Sequence, residues 1–317
     1  MYIIRGKEKI DMLLNRDLFE ENDRAKVDFL NRHYEFCYLE SMHYFNKIEK
    51  MKTIITGLSY GITGLESDII GGNTINFSMH AQDLYYDYMH IKRAIDNSDS
   101  ISSCVITLGY YSLYYDLSFT KNKYKCFKTY LPLFSDMHHL ESMKLYPGLE
   151  IISPKDDLGF AHQFGKRNRS FWGRAILREH SAPKISALGG WLKLSQEERE
   201  KNAFEQTQLH NKHIKYIETY KENVQILNNI LALLNRHHIR TIVVILPFSK
   251  EYLKYINPLY KESIMQVLEE SPYPVDFMDM NEEVIFYETD MLDSDHLNLK
   301  GAKKASLLVK GIVEGIL

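Results

Sequence analysis

Along this chain short apolar runs alternate with longer amphipathic stretches. Lys52-Thr53-Ile54-Ile55-Thr56-Gly57 is a β-branched run closed by glycine, and it predicts a buried strand. Thr74 to Phe77, and Ile101 to Leu108 ahead of Gly109, predict two more. Thr63 and Glu66 have capping-box spacing for a short helix that Gly71-Gly72 stops, and residues from about Gln82 to Asp96 repeat their apolar positions at helical spacing. Strand, helix, strand, helix, strand implies right-handed crossovers and a parallel sheet with helices on both faces.

The same rhythm returns near the end of the chain. A helix from about Glu205 to Asn235 precedes the apolar strand Thr241 to Leu246. A helix from about Glu251 to Glu269, begun by Ser249 as cap, then leads to a strand at Val275-Asp276-Phe277-Met278. Asn298 caps a last helix that runs to about Ile316. Five strands with flanking helices predict an α/β fold, a flavodoxin-like doubly wound parallel sheet. Residues 1–49 carry apolar positions at helical spacing (Leu13, Leu14, Leu18, Phe29, Leu30, Tyr34) and are expected to add an N-terminal helical extension to an α/β domain over 50–317. Between 110 and 200 the periodicity fails, which predicts an inserted cap or substrate region, since so long a stretch inside a compact domain is seldom passive.

Composition narrows the function classes. With 44% hydrophobic residues the chain can bury a sizeable core, and a net charge of −3 gives no overall basic character to attract nucleic acid or anionic membrane. The first residues turn charged before any apolar run reaches the length of a leader or a membrane span, so a cytoplasmic protein is expected. Three cysteines, Cys37, Cys104 and Cys126, lack paired spacing and argue against a disulfide framework or a zinc knuckle. The adjacent pairs His138-His139 and His237-His238 are poorly placed to chelate one ion, and His210 with His213 lacks a third ligand in sequence, so no metal and no cofactor are expected.

In an open parallel sheet, residues just beyond the carboxyl ends of the strands line the ligand site. Ser59 follows the first strand on a sharp turn, Thr56-Gly57-Leu58-Ser59-Tyr60-Gly61. A serine hydroxyl needs a positioned base to take its proton, and the base needs a third group to fix its tautomer. Asp293 and His296 have the spacing for that task in a loop before the last helix, with Asp295 as a rival orienting carboxylate. The turn also offers the Ser59 N–H and a helix start to an oxyanion. Alternatively, Ser59 caps that helix or lines a phosphate-binding turn, and His296 is a histidine in a polar loop.

Gly57-Leu58-Ser59 and Asp293-Ser294-Asp295-His296 resemble the first and last blocks of the SGNH (GDSL-type) hydrolase superfamily, with leucine where the family has aspartate. The resemblance covers the core from about residue 50 onward, outside the insertion. It implies a Ser59, His296, Asp293 triad and an oxyanion hole formed by the N–H of Ser59, by Ser78 after strand two, where the family has glycine, and by Tyr111 of Gly109-Tyr110-Tyr111, where it has asparagine. These substitutions make the chain similar to the branch holding the D-alanine transfer protein of teichoic acids and bacterial polysaccharide O-acetyltransferases.

The function expected on these grounds is an acyl-ester hydrolase or O-acyl(acetyl)transferase acting on a carbohydrate or surface-glycan precursor. Its substrate contacts would come from Tyr110, Arg169, Trp172 and Arg174, the arginines holding an anionic group and the indole stacking on a ring. A merely solvated basic loop is the plainer account of those arginines. The alternative function is a non-catalytic glycan- or acyl-binding protein on the same fold. A nucleotide binder using Gly57 to Gly61 ranks last, because neither the P-loop nor the Gly-x-Gly-x-x-Gly spacing is present.

Overall fold

The computed structural model describes residues 48–123, 125–140 and 190–316. They fall in two compact units, one holding residues 117–140 and the other 48–116 with 190–316. The N-terminal extension expected over 1–49 lies almost wholly outside the described residues, as does the middle of the expected insertion.

The larger unit is built on five parallel strands: β1 Thr53–Gly57, β2 Thr74–Asn76, β3 Ser103–Leu108, β4 Arg240–Ile245 and β5 Asp276–Asp279. Their spatial order is β2-β1-β3-β4-β5, the flavodoxin-like doubly wound order. Every residue of β1 and β3 is buried, as expected of strands covered on both faces.

Chain order reverses between β1 and β3, so right-handed crossovers send the helices to opposite faces. Short α1 (Ser59–Gly64) and α2 (Ser67–Ile70) follow β1, and α3 (Leu84–Asp96) follows β2. In the smaller unit a π-helical stretch, Cys126–Tyr130, runs into α4 (Leu131–Phe134). The larger unit continues with α5 (Gln196–Asn211), α6 (Ile217–Arg236), α7 (Lys250–Tyr255), α8 (Leu259–Glu269) and α9 (Leu299–Val313). α6 packs on α3, α5 on α7, and α9 on α1 and α2.

Three elements differ from the sequence pattern. The helix expected over 205–235 is two, α5 and α6, joined by a 3-10 turn at Lys212–Lys215. The corner is tied down by Asn211, whose amide donates to the Tyr255 carbonyl (2.9 Å) and accepts from the Asn257 N–H (2.9 Å). The helix expected over 251–269 breaks between α7 and α8 at Pro258, which lacks an N–H and disfavours helical backbone in the residue before it. Thr63 does not cap a helix: it lies inside α1 with its hydroxyl on the Ser59 carbonyl (2.8 Å). Asn298 does cap α9, accepting from the N–H groups of Lys300 and Gly301, and Ser249 caps α7.

Candidate active site

The sheet delivers Ser59 to the point where strand order reverses. Gly57, the last residue of β1, has φ +139°, and a side chain there would overlap the Thr107 carbonyl of the neighbouring β3. Only glycine permits that approach, and it aims the following turn away from the sheet. Leu58 is buried and Ser59 half-buried at the first turn of α1, where the Gly61 N–H donates to the Leu58 carbonyl (3.1 Å) and the Ser59 and Tyr60 N–H groups have no acceptor within the helix.

The loop after β5 brings the other two groups. An antiparallel bridge joins Met291 to Leu297, and the Leu292 N–H donates to the His296 carbonyl (2.8 Å), closing a tight turn. Inside it Asp293 Oδ1 accepts from the N–H groups of Asp295 (3.0 Å) and His296 (2.7 Å). The Ser249 N–H, beyond β4, donates to the Ser294 carbonyl (2.9 Å) and pins the turn to the sheet end. Beneath it Asp290 is fully buried and paired with Lys304 at 2.6 Å. The result places His296 Nε2 2.8 Å from Ser59 Oγ, and His296 Nδ1 3.0 Å from Asp293 Oδ1. A carboxylate on Nδ1 requires the proton there, which leaves Nε2 as acceptor for the serine hydroxyl.

Two carboxylates act on this imidazole. Burial alone would lower the His296 pKa, but the charges of Asp293 and Asp295, with the Asp293 hydrogen bond, push it up to about 9. Asp293 is held below its ordinary value: burial opposes this, and the His296 charge and hydrogen bonds with three backbone and ring donors prevail. Asp295 is raised to about 6 by burial and by the Asp293 charge, against the pull of His296 and of its own donors.

The remaining expected site residues are placed as follows. Ser78 packs under Gly61 and is buried, and its N–H, the expected oxyanion donor, instead donates to Asn76 Oδ1 at 2.9 Å. Asn76 is committed to this geometry because its amide also donates to the Gly61 carbonyl (2.9 Å), tying α1 to the end of β2. Tyr111 is buried, its ring stacked on His210 at 4.1 Å and its oxygen 3.5 Å from the Tyr60 hydroxyl. Tyr110 points to β5, donating to Asp279 Oδ2 at 2.8 Å with its ring against Phe248, so its phenol is not turned to the site as a substrate contact would be. Arg169, Trp172 and Arg174 lie outside the described residues.

Four residues at the site carry no motif. The Tyr60 ring lies against the His296 ring (5.2 Å between centroids) and its hydroxyl donates to Asp295 Oδ2 at 3.1 Å. Gln206 and His210 arrive from α5, and Tyr252 from α7. His210 Nδ1 meets the Tyr252 hydroxyl at 2.6 Å and its Nε2 meets Gln206 Nε2 at 3.1 Å, so both ring nitrogens have partners. The one sequence signal was the spacing of His210 from His213, which suggests a ligand pair and not this role. The polar atoms of Asp293, Asp295 and His296 lie within 4.8 Å of one another, but they are engaged with each other and with Ser59, an acid–base constellation and not an ion cage.

Sheet order and the position of Ser59 define a flavodoxin-like doubly wound α/β protein with its polar centre at the topological switch point. No known protein family matches the sequence, and no curated protein does. Among solved structures it is similar to a protein from Streptococcus pneumonia described provisionally as a platelet activating factor, at 10% identity and TM-score 0.44, covering 93% of this chain and 98% of that one. It is also similar to a protein of Bacteroides fragilis described provisionally as an acylhydrolase, at 9% identity and TM-score 0.40, covering 86% and 94%. Among the described residues no helix is long and apolar enough to cross a membrane.

Proposed function

We propose that the chain is a serine-dependent acyl-ester hydrolase or O-acyltransferase of SGNH type. The observation that carries this reading is the hydrogen-bonded series Ser59 Oγ, His296 Nε2, His296 Nδ1, Asp293, at 2.8 and 3.0 Å, on a strand-to-helix turn at the switch point. Ser59 attacks the ester carbonyl while His296 takes its proton. The N–H groups at the start of α1 receive the oxyanion, and His296 then protonates the departing alcohol. Water or a second hydroxyl resolves the acyl-enzyme by the reverse sequence, the first giving an esterase and the second a transferase. A carbohydrate or surface-glycan precursor is the substrate class this reading expects, on the SGNH-like blocks at Ser59 and Asp293–His296.

A specific observation favours the second reading, a non-catalytic acyl- or glycan-binding protein: the Ser78 N–H is already bonded to Asn76, so one expected oxyanion donor is missing. Reaction with a fluorophosphonate separates the two. Covalent labelling that disappears in Ser59→Ala supports the enzyme, and a folded, unlabelled wild-type protein overturns it.

A further inference from the structure

Asp293 accounts for the orientation of His296, yet a second carboxylate stands beside the same nitrogen. Asp295 Oδ1 is 3.6 Å from His296 Nδ1 and its side chain is 4% exposed. A buried carboxylate is costly unless its oxygens are bonded. Asp295 is supplied from three separate elements: the Ser294 hydroxyl donates to Oδ1 (3.1 Å), Tyr60 to Oδ2 (3.1 Å) and Gln206 Nε2 to Oδ2 (3.3 Å). Tyr60 immediately follows the nucleophile, and Gln206 belongs to α5. The three donors, gathered from α1, α5 and its own loop, offset part of the cost of burying this acid as a carboxylate.

We infer that Asp295 is a positioning residue for the proposed serine chemistry, a second carboxylate that acts through His296 and holds the imidazolium that forms when Ser59 gives up its proton. This rests on the acyl-transfer reading of Ser59. The two acids divide the work by geometry. Asp293 makes the hydrogen bond that fixes the tautomer, whereas Asp295, too far for a hydrogen bond, contributes charge alone. Tyr60 links the two ends of the site, because the residue whose ring supports His296 is also the one whose hydroxyl holds Asp295. The other titratable groups facing this pair are Tyr111 from the turn after β3, His210 from α5 and Tyr252 from α7. All three are buried: burial drives the phenols away from ionisation and holds His210 neutral, at about 3. Among the described residues around His296, only Asp293 and Asp295 therefore bring a negative charge near neutral pH.

The test is proton NMR titration of the His296 ring in the full chain, with the resonance assigned by its loss in His296→Asn. Wild type is expected to give two inflections, one from Asp295 and a higher one from His296. In Asp295→Asn the lower inflection vanishes and the upper midpoint falls by at least about one pH unit, a roughly tenfold loss of proton affinity. Tyr60→Phe keeps the ring and removes one donor from Asp295. It is expected to move the lower inflection upward, and it tests the same claim if Asp295→Asn does not fold. An unmoved upper midpoint in Asp295→Asn, or an unmoved lower inflection in Tyr60→Phe, overturns the inference. Fluorophosphonate labelling run on the same samples tells the two claims apart. A shifted midpoint without Ser59 labelling removes the enzyme and leaves the charge pair, while labelling with an unmoved midpoint removes only the role of Asp295.

Discussion

Raising the pH from 7 to 9 is expected to accelerate labelling of Ser59 steeply. A general base works only in its neutral form, and the charges beside His296 hold its pKa up at about 9. Two pH units below that value the neutral fraction is about 1%, and it grows roughly tenfold per unit before levelling off above pH 9. The second-order rate constant for fluorophosphonate labelling, corrected for hydrolysis of the reagent and for the residual rate of Ser59→Ala, should follow that curve. No natural substrate is needed. A rate already flat above pH 7, or a midpoint near the ordinary histidine value of 6.5, would show that the two carboxylates do not govern the base, and the electrostatic account of the site would fail. The sign for stability is fixed by the same shift. A histidine raised on folding contributes stability that is complete below about 6.5 and is lost as pH rises through about 9, so labelling quickens while stability falls over that window.

Asp293→Asn should leave Ser59 in place but present an amide donor to Nδ1, forcing the wrong tautomer, and labelling is expected to slow on the order of 10²–10⁴-fold with the far-ultraviolet spectrum unchanged. Asp87, fully buried behind β1, accepts from Thr56 Oγ1 (2.5 Å) and Gln82 Nε2 (2.6 Å), and burial raises its pKa to about 7 despite these bonds. Folded protein therefore keeps a proton that the unfolded chain releases above the ordinary value of 3.8, and stability falls as pH rises between about 4 and 7. The loss is at most about 4 kcal/mol from a shift of roughly three units, and urea midpoints for Asp87→Asn should lose that slope. At Gly61 a Cβ would lie 2.6 Å from Thr107 Oγ1 and 2.8 Å from Ser78 Cβ, so Gly61→Ala should cost about 1–3 kcal/mol in urea unfolding and slow labelling as α1 is pushed off the sheet.

What could be read from the sequence divides along physical lines. β1, β3 and β4 are short β-branched runs buried on both faces, so local composition and tertiary environment agree and the strands are legible. The switch point follows from counting strands, and with it the place of Ser59. The corner between α5 and α6 was not legible, because its apolar spacing continues through Ile214 and Ile217 while the turn is held by Asn211 reaching across to α7. The commitment of the Ser78 N–H is hidden for a similar reason. A backbone donor after a strand looks free in sequence, and only the fold shows the Asn76 side chain two residues back taking it. Gln206, His210 and Tyr252 come to the site through the docking of α5 on α7, which no spacing within either helix encodes.

The departures from the SGNH-like blocks have a common physical consequence. Leu58 is 2% exposed, and an aspartate buried there would need donors for its oxygens; leucine needs only volume. Tyr111, where the resemblance calls for an asparagine amide, is enclosed by Tyr60, Tyr115 and His210, and its oxygen is near the Tyr60 hydroxyl and not turned outward as a free donor. With the Ser78 N–H also committed, stabilisation of an oxyanion falls, among the described residues, on the first turn of α1. Each absent donor typically costs 10²–10³ in rate, so a site with strong base electrostatics and few donors should acylate slowly for its degree of serine activation. The comparison that exposes this is between reagents. A fluorophosphonate with a good leaving group should react readily at high pH, while an unactivated acetyl ester should turn over slowly at every pH. Equal pH curves with fast turnover of the plain ester would mean that further donors reach the carbonyl.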